Sequence, residues 1–341
     1  MPTPLLDVRD LSVLLATGRE PVALVDRLSF SVAAGEVLCI VGESGCGKTL
    51  TARALIGLTR SNPRFSVAGS IVFEGQDLLK IPERALRQVR GRRMGMIFQD
   101  PMTSLNPLHR IGDQIGEVLA LHTDLGRAGR RARTIELLTQ VGIPNPARRI
   151  YDYPHQFSGG MRQRAMIAVA LACSPALLIA DEPTTALDVT TQKQILDLIL
   201  GLRASYGMGV ILITHDLGVV AEIADRVMVM YAGECVETGP VRDVFHRPRH
   251  PYTARLLASI PSPTRPRSDE LPSIDGAPPI LAQGRPEGCT FRPRCSHAFA
   301  RCTEPPPLAA TGDDADHPDR CWLPPEAKRQ LAVLEAEAAL P

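Results

Sequence analysis

The chain has 341 residues, of which 44% are hydrophobic and 22% are charged, a composition typical of globular proteins. Its 38 Lys and Arg residues nearly balance its 37 Asp and Glu residues, which argues against a protein that works mainly by non-specific attraction to nucleic acid. The longest apolar stretch, residues 165–180, is interrupted by Ser174-Pro175 and is shorter than the roughly 20 residues of a membrane span. Because the N-terminus also shows no secretory signal, we expect a cytosolic chain of up to two domains.

The composition changes near residue 240, and this change predicts two regions. Residues 1–240 alternate short apolar runs with helical patterns, which is typical of an α/β fold with a mostly parallel sheet. In contrast, 18 of the 30 prolines lie at or after Pro240, and four of the eight cysteines lie between Cys289 and Cys321. We therefore expect residues 241–341 to form a small Cys- and Pro-rich appendage.

Three short apolar runs predict strands that are buried on both faces. In chain order they cover residues 37–41, 177–180 and 210–214. The first run ends in a Gly-rich loop, the second in Asp181-Glu182 and the third in His215. Because open α/β sheets bind ligands at the carboxyl ends of their strands, each of these ends is a candidate binding position.

The Gly-rich loop after the first run matches the phosphate-binding pattern G-x-x-x-x-G-K-[ST] at every fixed position. The residues expected to bind the nucleotide are Gly42, Glu43, Ser44, Gly45, Cys46, Gly47, Lys48 and Thr49. Glycines let backbone N–H groups point at phosphate oxygens, and the following helix adds its positive N-terminal end. We expect Lys48 to reach the β- and γ-phosphates and the Thr49 hydroxyl to hold Mg²⁺. The alternative is a Gly-rich turn with an accidental Lys-Thr pair, which the flanking strand and helix disfavour.

The second apolar run delivers two carboxylates at the end of its strand. Beside a phosphate loop, a carboxylate in this position can hold the Mg²⁺ shell, and we assign that role to Asp181. Glu182 follows it and can accept a proton from an attacking water molecule. Without the phosphate loop, two carboxylates that merely face solvent would be the better interpretation.

Residues 157–164, with the sequence FSGGMRQR, resemble the LSGGQ signature of the ABC transporter ATPases. Gln99 follows a predicted strand and resembles the Q-loop glutamine of that family, while residues 186–188 resemble its D-loop and His215 its switch histidine. The order of these elements is also that of the family. The resemblance implies a P-loop ABC ATPase, in which a RecA-like core with a mostly parallel sheet carries an antiparallel β-subdomain and a helical subdomain at about residues 100–165.

A narrower resemblance is to the dipeptide and oligopeptide permease ATPases. It rests on QDPMTSLNP at residues 99–107, on YPHQ at residues 153–156 and on HPYT at residues 250–253. It implies an ATP-hydrolysing subunit that powers peptide import through a membrane ABC importer. The same branch contains importers of nickel, glutathione and other small solutes, so these substrates stay open as alternatives.

The family resemblance also implies a mechanism. Two nucleotide-binding domains would enclose two ATP molecules with Mg²⁺, each between the phosphate loop of one subunit and the signature of the other. The signature and D-loop residues that would contact nucleotide are Ser158, Gly159, Gly160 and Asp188. The catalytic roles fall to Glu182 as the base or water-positioning residue, to His215 at the γ-phosphate and to Gln99, which would also sense Mg²⁺.

The same resemblance implies partners and a location. We expect a second ATPase subunit, either another copy or a paralogue, together with two membrane permease subunits and an extracytoplasmic solute-binding protein. No nucleic-acid partner is expected. The chain would lie peripherally on the cytoplasmic face of the cell membrane.

Four cysteines of the tail predict a metal site. Cys289, Cys295, Cys302 and Cys321 are spaced C-x5-C-x6-C-x18-C. Stable disulfides are not expected in a reducing cytosol, whereas four thiolates can hold either a [4Fe–4S] cluster or Zn²⁺. The spacing lacks the close pair of a usual zinc site, and similar tails occur in the peptide-permease branch, so the prediction favours the iron–sulfur cluster over zinc and over free thiols.

Two positions depart from the family pattern. No aromatic residue lies near Leu15, where the family places the side chain that stacks on adenine, and Met161 stands where the signature has glutamine.

Other classes of ABC protein fit the sequence less well. Soluble ABC ATPases of DNA repair insert long heptad helices, and those of translation carry two ATPase domains. An exporter normally brings its own membrane spans or lacks this tail.

Overall fold

The computed structural model describes residues 3–18, 20–185, 187–260, 274–310 and 314–338. Their contacts separate two compact units. The first unit comprises Met1–Asp7, Ser31–Glu36 and Val72–Ile213, and the second comprises Val8–Phe30, Val37–Ile71 and Thr214–Pro341. Among the described residues, no helix is both long enough and apolar enough to cross a membrane.

Strands and helices alternate through most of the described chain. The strands are β1 (Leu6–Leu15), β2 (Val22–Val32), β3 (Val37–Val41), β4 (Phe65–Phe73), β5 (Gln76–Asp77), β6 (Met94–Ile97), β7 (Leu177–Asp181), β8 (Gly209–Ile213), β9 (Arg226–Tyr231), β10 (Glu234–Pro240), β11 (Ala309–Ala310) and β12 (Pro318–Asp319). The helices are α1 (Lys48–Leu55), α2 (Glu83–Val89), α3 (Pro101–Ser104), α4 (Ile111–His122), α5 (Arg127–Gln140), α6 (Pro146–Arg149), α7 (Gly159–Ala170), α8 (Val189–Tyr206), α9 (Leu217–Ile223), α10 (Val241–His246), α11 (Pro251–Ala258) and α12 (Pro325–Ala338). Single 3-10 turns cover Leu58–Ser61, Pro154–Gln156, Leu281–Gln283, Arg292–Arg294 and Ala300–Thr303.

The first unit contains the parallel strands β6, β7 and β8. Met94 of β6 pairs with Leu177 of β7, and Ala180 of β7 pairs with Leu212 of β8. Every residue of β7 and β8 is buried, as the continuous apolar runs predict. These two strands are therefore confirmed, and β7 carries Asp181 at its carboxyl end.

The helices between β6 and β7 form the rest of the first unit. In α4 the residues Ile111, Ile115 and Leu119 recur every fourth position, and all three are buried, because this spacing places them on one face of the helix. Helix α5 buries Leu137 and Leu138 in the same way. The helices α4, α5 and α7 pack against one another through these faces.

The second unit contains β3, the first of the three predicted strands in chain order, which is buried along its whole length. It pairs in parallel with β9, and β9 pairs antiparallel with β10. Strand β12 continues this sheet antiparallel to β10, with Asp319 opposite the fully buried Glu237. Strands from residues after 240 thus lie in the same sheet as the strand that precedes the phosphate loop, and the domain boundary near residue 240 stays a prediction.

A second sheet has the strand order β2-β1-β4-β5, in which β4 and β5 pair antiparallel. Strand β1 buries Leu6 and Val8 and then Leu11 and Val13, so the alternation shifts by one residue at Asp10. Asp10 has a φ of 48°, a left-handed conformation that interrupts a regular strand. This sheet supplies the antiparallel part of the predicted fold class.

Candidate functional site

The phosphate-loop residues lie in the second unit, between β3 and α1. The chain turns sharply at Gly42, Gly45 and Gly47, whose φ values are 151°, 82° and 103°. A Cβ atom on Gly42 would lie 2.2 Å from the carbonyl oxygen of Met230 in β9, so only glycine fits at this position. The sequence folds locally into a loop that curls directly off the end of a buried strand.

Lys48 begins α1 and folds back over the loop. Its side chain is buried, and its Nζ donates hydrogen bonds to the carbonyl oxygens of Gly42 at 2.6 Å and Glu43 at 3.0 Å. The N-cap of α1 is Gly47, which supplies no side-chain cap, and the first turn of the helix has no acidic residue. Thr49 lies in this turn. An uncapped helix N-terminus beside a buried ammonium group is suited to an anion such as a phosphate group.

Two further loop residues have defined environments. Cys46 is 4% exposed, and burial raises the pKa of its thiol, so it stays neutral beside the Lys48 ammonium group 3.8 Å away. The backbone N–H of Glu43 donates to the hydroxyl of Tyr252 at 2.9 Å, and its carboxylate pairs with Arg294. Ser44 is exposed.

The strand-end carboxylates lie in the first unit. Asp181 closes β7 and is 1% exposed. Glu182 follows it with a φ of 47°, and its N–H donates to the carbonyl oxygen of Ile213 at 2.9 Å. Its Oε2 accepts hydrogen bonds from Gln99 Nε2 at 3.0 Å and from Thr185 Oγ1 at 2.9 Å. The structure therefore joins two of the three predicted catalytic side chains, Gln99 and Glu182.

The third predicted catalytic residue, His215, lies in the second unit and is exposed. It comes directly before Asp216, the residue that caps α9 by accepting hydrogen bonds from the N–H groups of Gly218 and Val219. This cap fixes the backbone that carries the histidine at the start of a helix.

The signature and D-loop residues that the structure describes are exposed or half-exposed, at two helix starts of the first unit. Ser158 caps α7 by accepting a hydrogen bond from the N–H of Met161 at 3.3 Å. Gly159 and Gly160 form the first turn of α7. Asp188 caps α8, and hydrogen bonds from Thr191 lower the pKa of its carboxyl group. Ala186, the first residue of the predicted D-loop, lies outside the described residues.

The predicted [4Fe–4S] cluster is wrong. Among the residues that the structure describes, no group of three or more His, Cys, Asp or Glu side chains is arranged to hold a metal ion, which also removes the zinc alternative. Cys289, Cys295, Cys302 and Cys321 line one small, mostly apolar cavity as free thiols. Burial raises the pKa of Cys295 to about 11 and that of Cys321 to about 12. The sequence identified the four cysteines as a group, and they do line one cavity, but their spacing gave no information on how their side chains are arranged there.

Sequence reasoning missed two residues that contact the phosphate loop, Tyr252 and Arg294. Tyr252 belongs to the HPYT segment, which in the sequence indicates only the resemblance to the peptide-permease ATPases. Arg294 carried no signal, because it is separated from its partner Glu43 by 251 positions. Leu15, where the family has an adenine-stacking aromatic, is half-buried near the end of β1.

A phosphate-binding loop between a buried parallel strand and a helix is characteristic of the P-loop nucleotide-binding proteins, and the fold of the second unit places the chain in that class. Comparison with known families agrees. The ABC transporter family matches residues 25–185, and the family described as "Oligopeptide/dipeptide transporter, C-terminal region" matches residues 236–302. The chain belongs to the ABC transporter ATPases, in their oligopeptide/dipeptide branch.

Relatives of known name cover nearly the whole chain. The oligopeptide transport ATP-binding protein OppD of Salmonella typhimurium is 51% identical over 306 residues, which cover 90% of this chain and 90% of the relative. OppD of Bacillus subtilis is 48% identical, with 95% and 93% covered. A probable peptide ABC transporter ATP-binding protein of Sinorhizobium fredii is 49% identical, with 93% and 94% covered.

Solved structures of ATP-binding cassettes share the fold. A dimeric cassette in a post-hydrolysis state, bound to ADP and Pi, aligns with a TM-score of 0.62 and 26% identity, covering 70% of this chain and 99% of that chain. A subunit of the cbiONQ ABC transporter from Clostridium perfringens aligns with a TM-score of 0.60 and 25% identity, covering 71% and 90%. The predicted class of protein, its α/β fold and its ATPase activity are thereby confirmed.

Proposed function

We propose that this chain is the ATP-hydrolysing subunit that powers peptide import through a membrane ABC importer. The observation that carries the proposal is the phosphate loop, where a buried Lys48 lies beside the uncapped N-terminus of α1. The peptide substrate is supported by the names of the relatives and by the match of residues 236–302 to the oligopeptide/dipeptide C-terminal region. Nickel and glutathione remain the alternative cargoes.

The phosphate loop would bind the triphosphate of ATP. Its backbone N–H groups and the N-terminus of α1 supply donors, and Lys48 exchanges its two carbonyl acceptors for phosphate oxygens. Thr49, Asp181 and Gln99 are the residues that would hold Mg²⁺, which neutralises the charge that develops on the phosphates. An oxygen-rich ligand set of hydroxyl, carboxylate and amide fits this ion.

Glu182 would orient and deprotonate the attacking water. Hydrogen bonds from Gln99 and Thr185 to Oε2 orient this carboxylate, which would accept the proton. His215 would contact the γ-phosphate and stabilise the charge on it. Since Gln99 donates to Glu182, a movement of the Q-loop would move the base as well.

ATP hydrolysis would separate two such subunits. Ser158, Gly159, Gly160 and Asp188 are exposed or half-exposed, which leaves them accessible to the nucleotide of a second subunit. A γ-phosphate held by both subunits would join them, and its loss would let them part. The second subunit can be another copy of this chain or a paralogue.

Motion of the ATPase subunits would drive the membrane partners. We place the docking surface for two permease subunits in the helical region at about residues 100–165, and an extracytoplasmic binding protein would deliver the solute. In this arrangement the chain is peripheral, on the cytoplasmic face of the membrane.

The first experiment tests hydrolysis. Glu182→Gln keeps the size of the side chain and its bond from Gln99 but removes the base, so we expect ATP binding to persist while turnover falls at least about tenfold. The matched control is Glu20→Gln, since Glu20 is an exposed carboxylate in the connection between β1 and β2. Undiminished turnover in Glu182→Gln would remove Glu182 from the mechanism.

The second experiment tests the cargo. Cells that lack this chain are complemented with the wild type or with Glu182→Gln, and uptake of a labelled tetrapeptide, of nickel and of glutathione is measured in parallel. Peptide uptake that depends on the wild-type chain supports the proposal. Restoration of nickel or glutathione uptake alone would assign the other cargo.

A further inference from the structure

Arg294 is a buried arginine of the C-terminal region that contacts the phosphate loop. Its side chain is 5% exposed, and its Nη1 and Nη2 atoms lie 2.6 Å and 3.0 Å from the two carboxylate oxygens of Glu43. Its remaining hydrogen-bond acceptors are the carbonyl oxygens of Asp275 and Ile274 and the hydroxyl of Tyr231. These contacts match all five donors of the guanidinium group, so its orientation is fixed.

Tyr252 reaches the same loop residue from a different element. It is fully buried in α11, and its hydroxyl accepts the hydrogen bond from the N–H of Glu43. Its ring lies among aromatic neighbours, 4.7 Å from that of Tyr231 and 5.4 Å from that of Phe291 between centroids. His250 caps α11 by accepting the N–H of Tyr252 at Nδ1. The HPYT segment therefore has a mechanical role, since it caps a helix and aims a hydroxyl at the loop.

Glu43 is consequently held at three points. Arg294 binds its carboxylate, Tyr252 binds its N–H, and Lys48 donates to its carbonyl oxygen. Lys48 is also the residue that we assign to the β- and γ-phosphates. Any displacement of Glu43 therefore changes the position of the lysine and the curvature of the loop that carries the phosphate donors.

We propose that Arg294 and Tyr252 are positioning residues, through which the C-terminal region sets the conformation of the phosphate loop and hence its affinity for ATP. The inference rests on the proposed binding of ATP at this loop. The competing interpretation is a staple, in which the same contacts only attach the tail and leave nucleotide affinity unaffected.

The test compares variants that change these contacts with little change in shape. Tyr252→Phe removes one hydroxyl and keeps the ring in its aromatic cluster, and Arg294→Lys removes the planar two-point pairing. The control is Arg249→Lys, because Arg249 pairs with Asp314 at 2.8 Å in the same region without contacting the loop. The dissociation constant of a fluorescent, non-hydrolysable ATP analogue is measured on the full-length chain, together with its unfolding temperature.

We expect Tyr252→Phe and Arg294→Lys each to weaken binding about fivefold, the loss typical of one hydrogen bond. Arg249→Lys should bind as the wild type does. In the assembled transporter the two loop variants should raise KM for ATP with kcat changed less than about twofold, since ground-state and transition-state binding weaken together. Variants that unfold at lower temperature but bind with wild-type affinity would support the staple and overturn the proposal.

A double-mutant cycle measures the coupling between Glu43 and Arg294 in nucleotide binding. If Glu43 and Arg294 act as one unit, Glu43→Gln combined with Arg294→Gln should weaken binding no more than either change alone. Independent effects that multiply would overturn the proposal even if each single variant binds weakly. A wild-type chain that binds no nucleotide would instead refute the proposed function, so the two failures are distinguishable.

Discussion

Gly159→Ala separates the stability of the chain from its activity. Gly159 is the first residue of α7, and a Cβ atom built on it meets no other atom within 4 Å. Alanine is favoured over glycine in a helix by up to about 1 kcal/mol, so the free energy of unfolding should rise by a value between zero and that figure. Activity should nevertheless fall at least about tenfold, because in the proposed two-subunit arrangement the added methyl group would stand where the nucleotide of the second subunit would approach the start of α7.

The control for this variant is Gly201→Ala. Gly201 lies in α8 and is exposed, and a Cβ on it also meets nothing within 4 Å. We expect the same direction of stability change and no change in ATPase rate. Unfolding by urea and steady-state ATPase of the assembled transporter measure the two quantities. Full activity of Gly159→Ala would refute the assignment of Gly159 to a nucleotide contact, and a loss of stability would refute the separation of stability from activity.

The remaining predictions concern the C-terminal region and the phosphate loop. Burial, together with Lys328 and Arg320, lowers the pKa of His250 to about 3 from about 6.5 in the unfolded chain. The unfolded chain thus binds the extra proton below about pH 6.5, and stability should fall by about 1.4 kcal/mol per pH unit down to about pH 3. His250→Asn keeps a capping acceptor without titrating, so urea unfolding at pH 7 and pH 5 should show a decline smaller by about 2 kcal/mol, and equal declines would contradict this. Gly42→Ala should abolish nucleotide binding, because its Cβ would clash with the backbone of β9. Gly45→Ala has open space around its Cβ and should lower the free energy of unfolding by only about 1–2 kcal/mol, the strain of a left-handed conformation. Similar losses of unfolding free energy in the two variants would show that the clash at Gly42 is relieved.

The strands and the phosphate loop could be predicted because their signals are local. Residues 37–41, 177–180 and 210–214 are continuous apolar runs, and they became β3, β7 and β8 with shifts of at most one residue. The loop at residues 42–49 needs glycines and a lysine at fixed spacing, so its sequence alone indicated its conformation. Cap residues such as Ser158 and Asp188 were singled out through the family resemblance, and the structure adds that each begins a helix.

The other features of the candidate site could not be predicted, because they depend on contacts between residues far apart in the chain, and a single sequence shows no pattern for such contacts. Gln99 and Glu182 are 83 residues apart, and Glu43 and Arg294 are 251 residues apart. Glu182 adopts a left-handed φ that no local pattern of this residue type indicates. The prediction of a metal site at the four cysteines of the tail was wrong for the same reason, because the spacing of thiols does not reveal the direction in which each side chain points.

Glu237 has a consequence for any shortened form of the protein. Its buried carboxylate accepts the N–H groups of Arg249 and His250, and His317 Nε2 lies 2.7 Å from its Oε1. A polypeptide ended at residue 240 would retain this carboxylate in β10 but lose every one of these three neighbours. Strand β10 would also lose β12, its partner opposite Glu237, so we expect such a shortened chain to be less stable in the sheet that carries the phosphate loop.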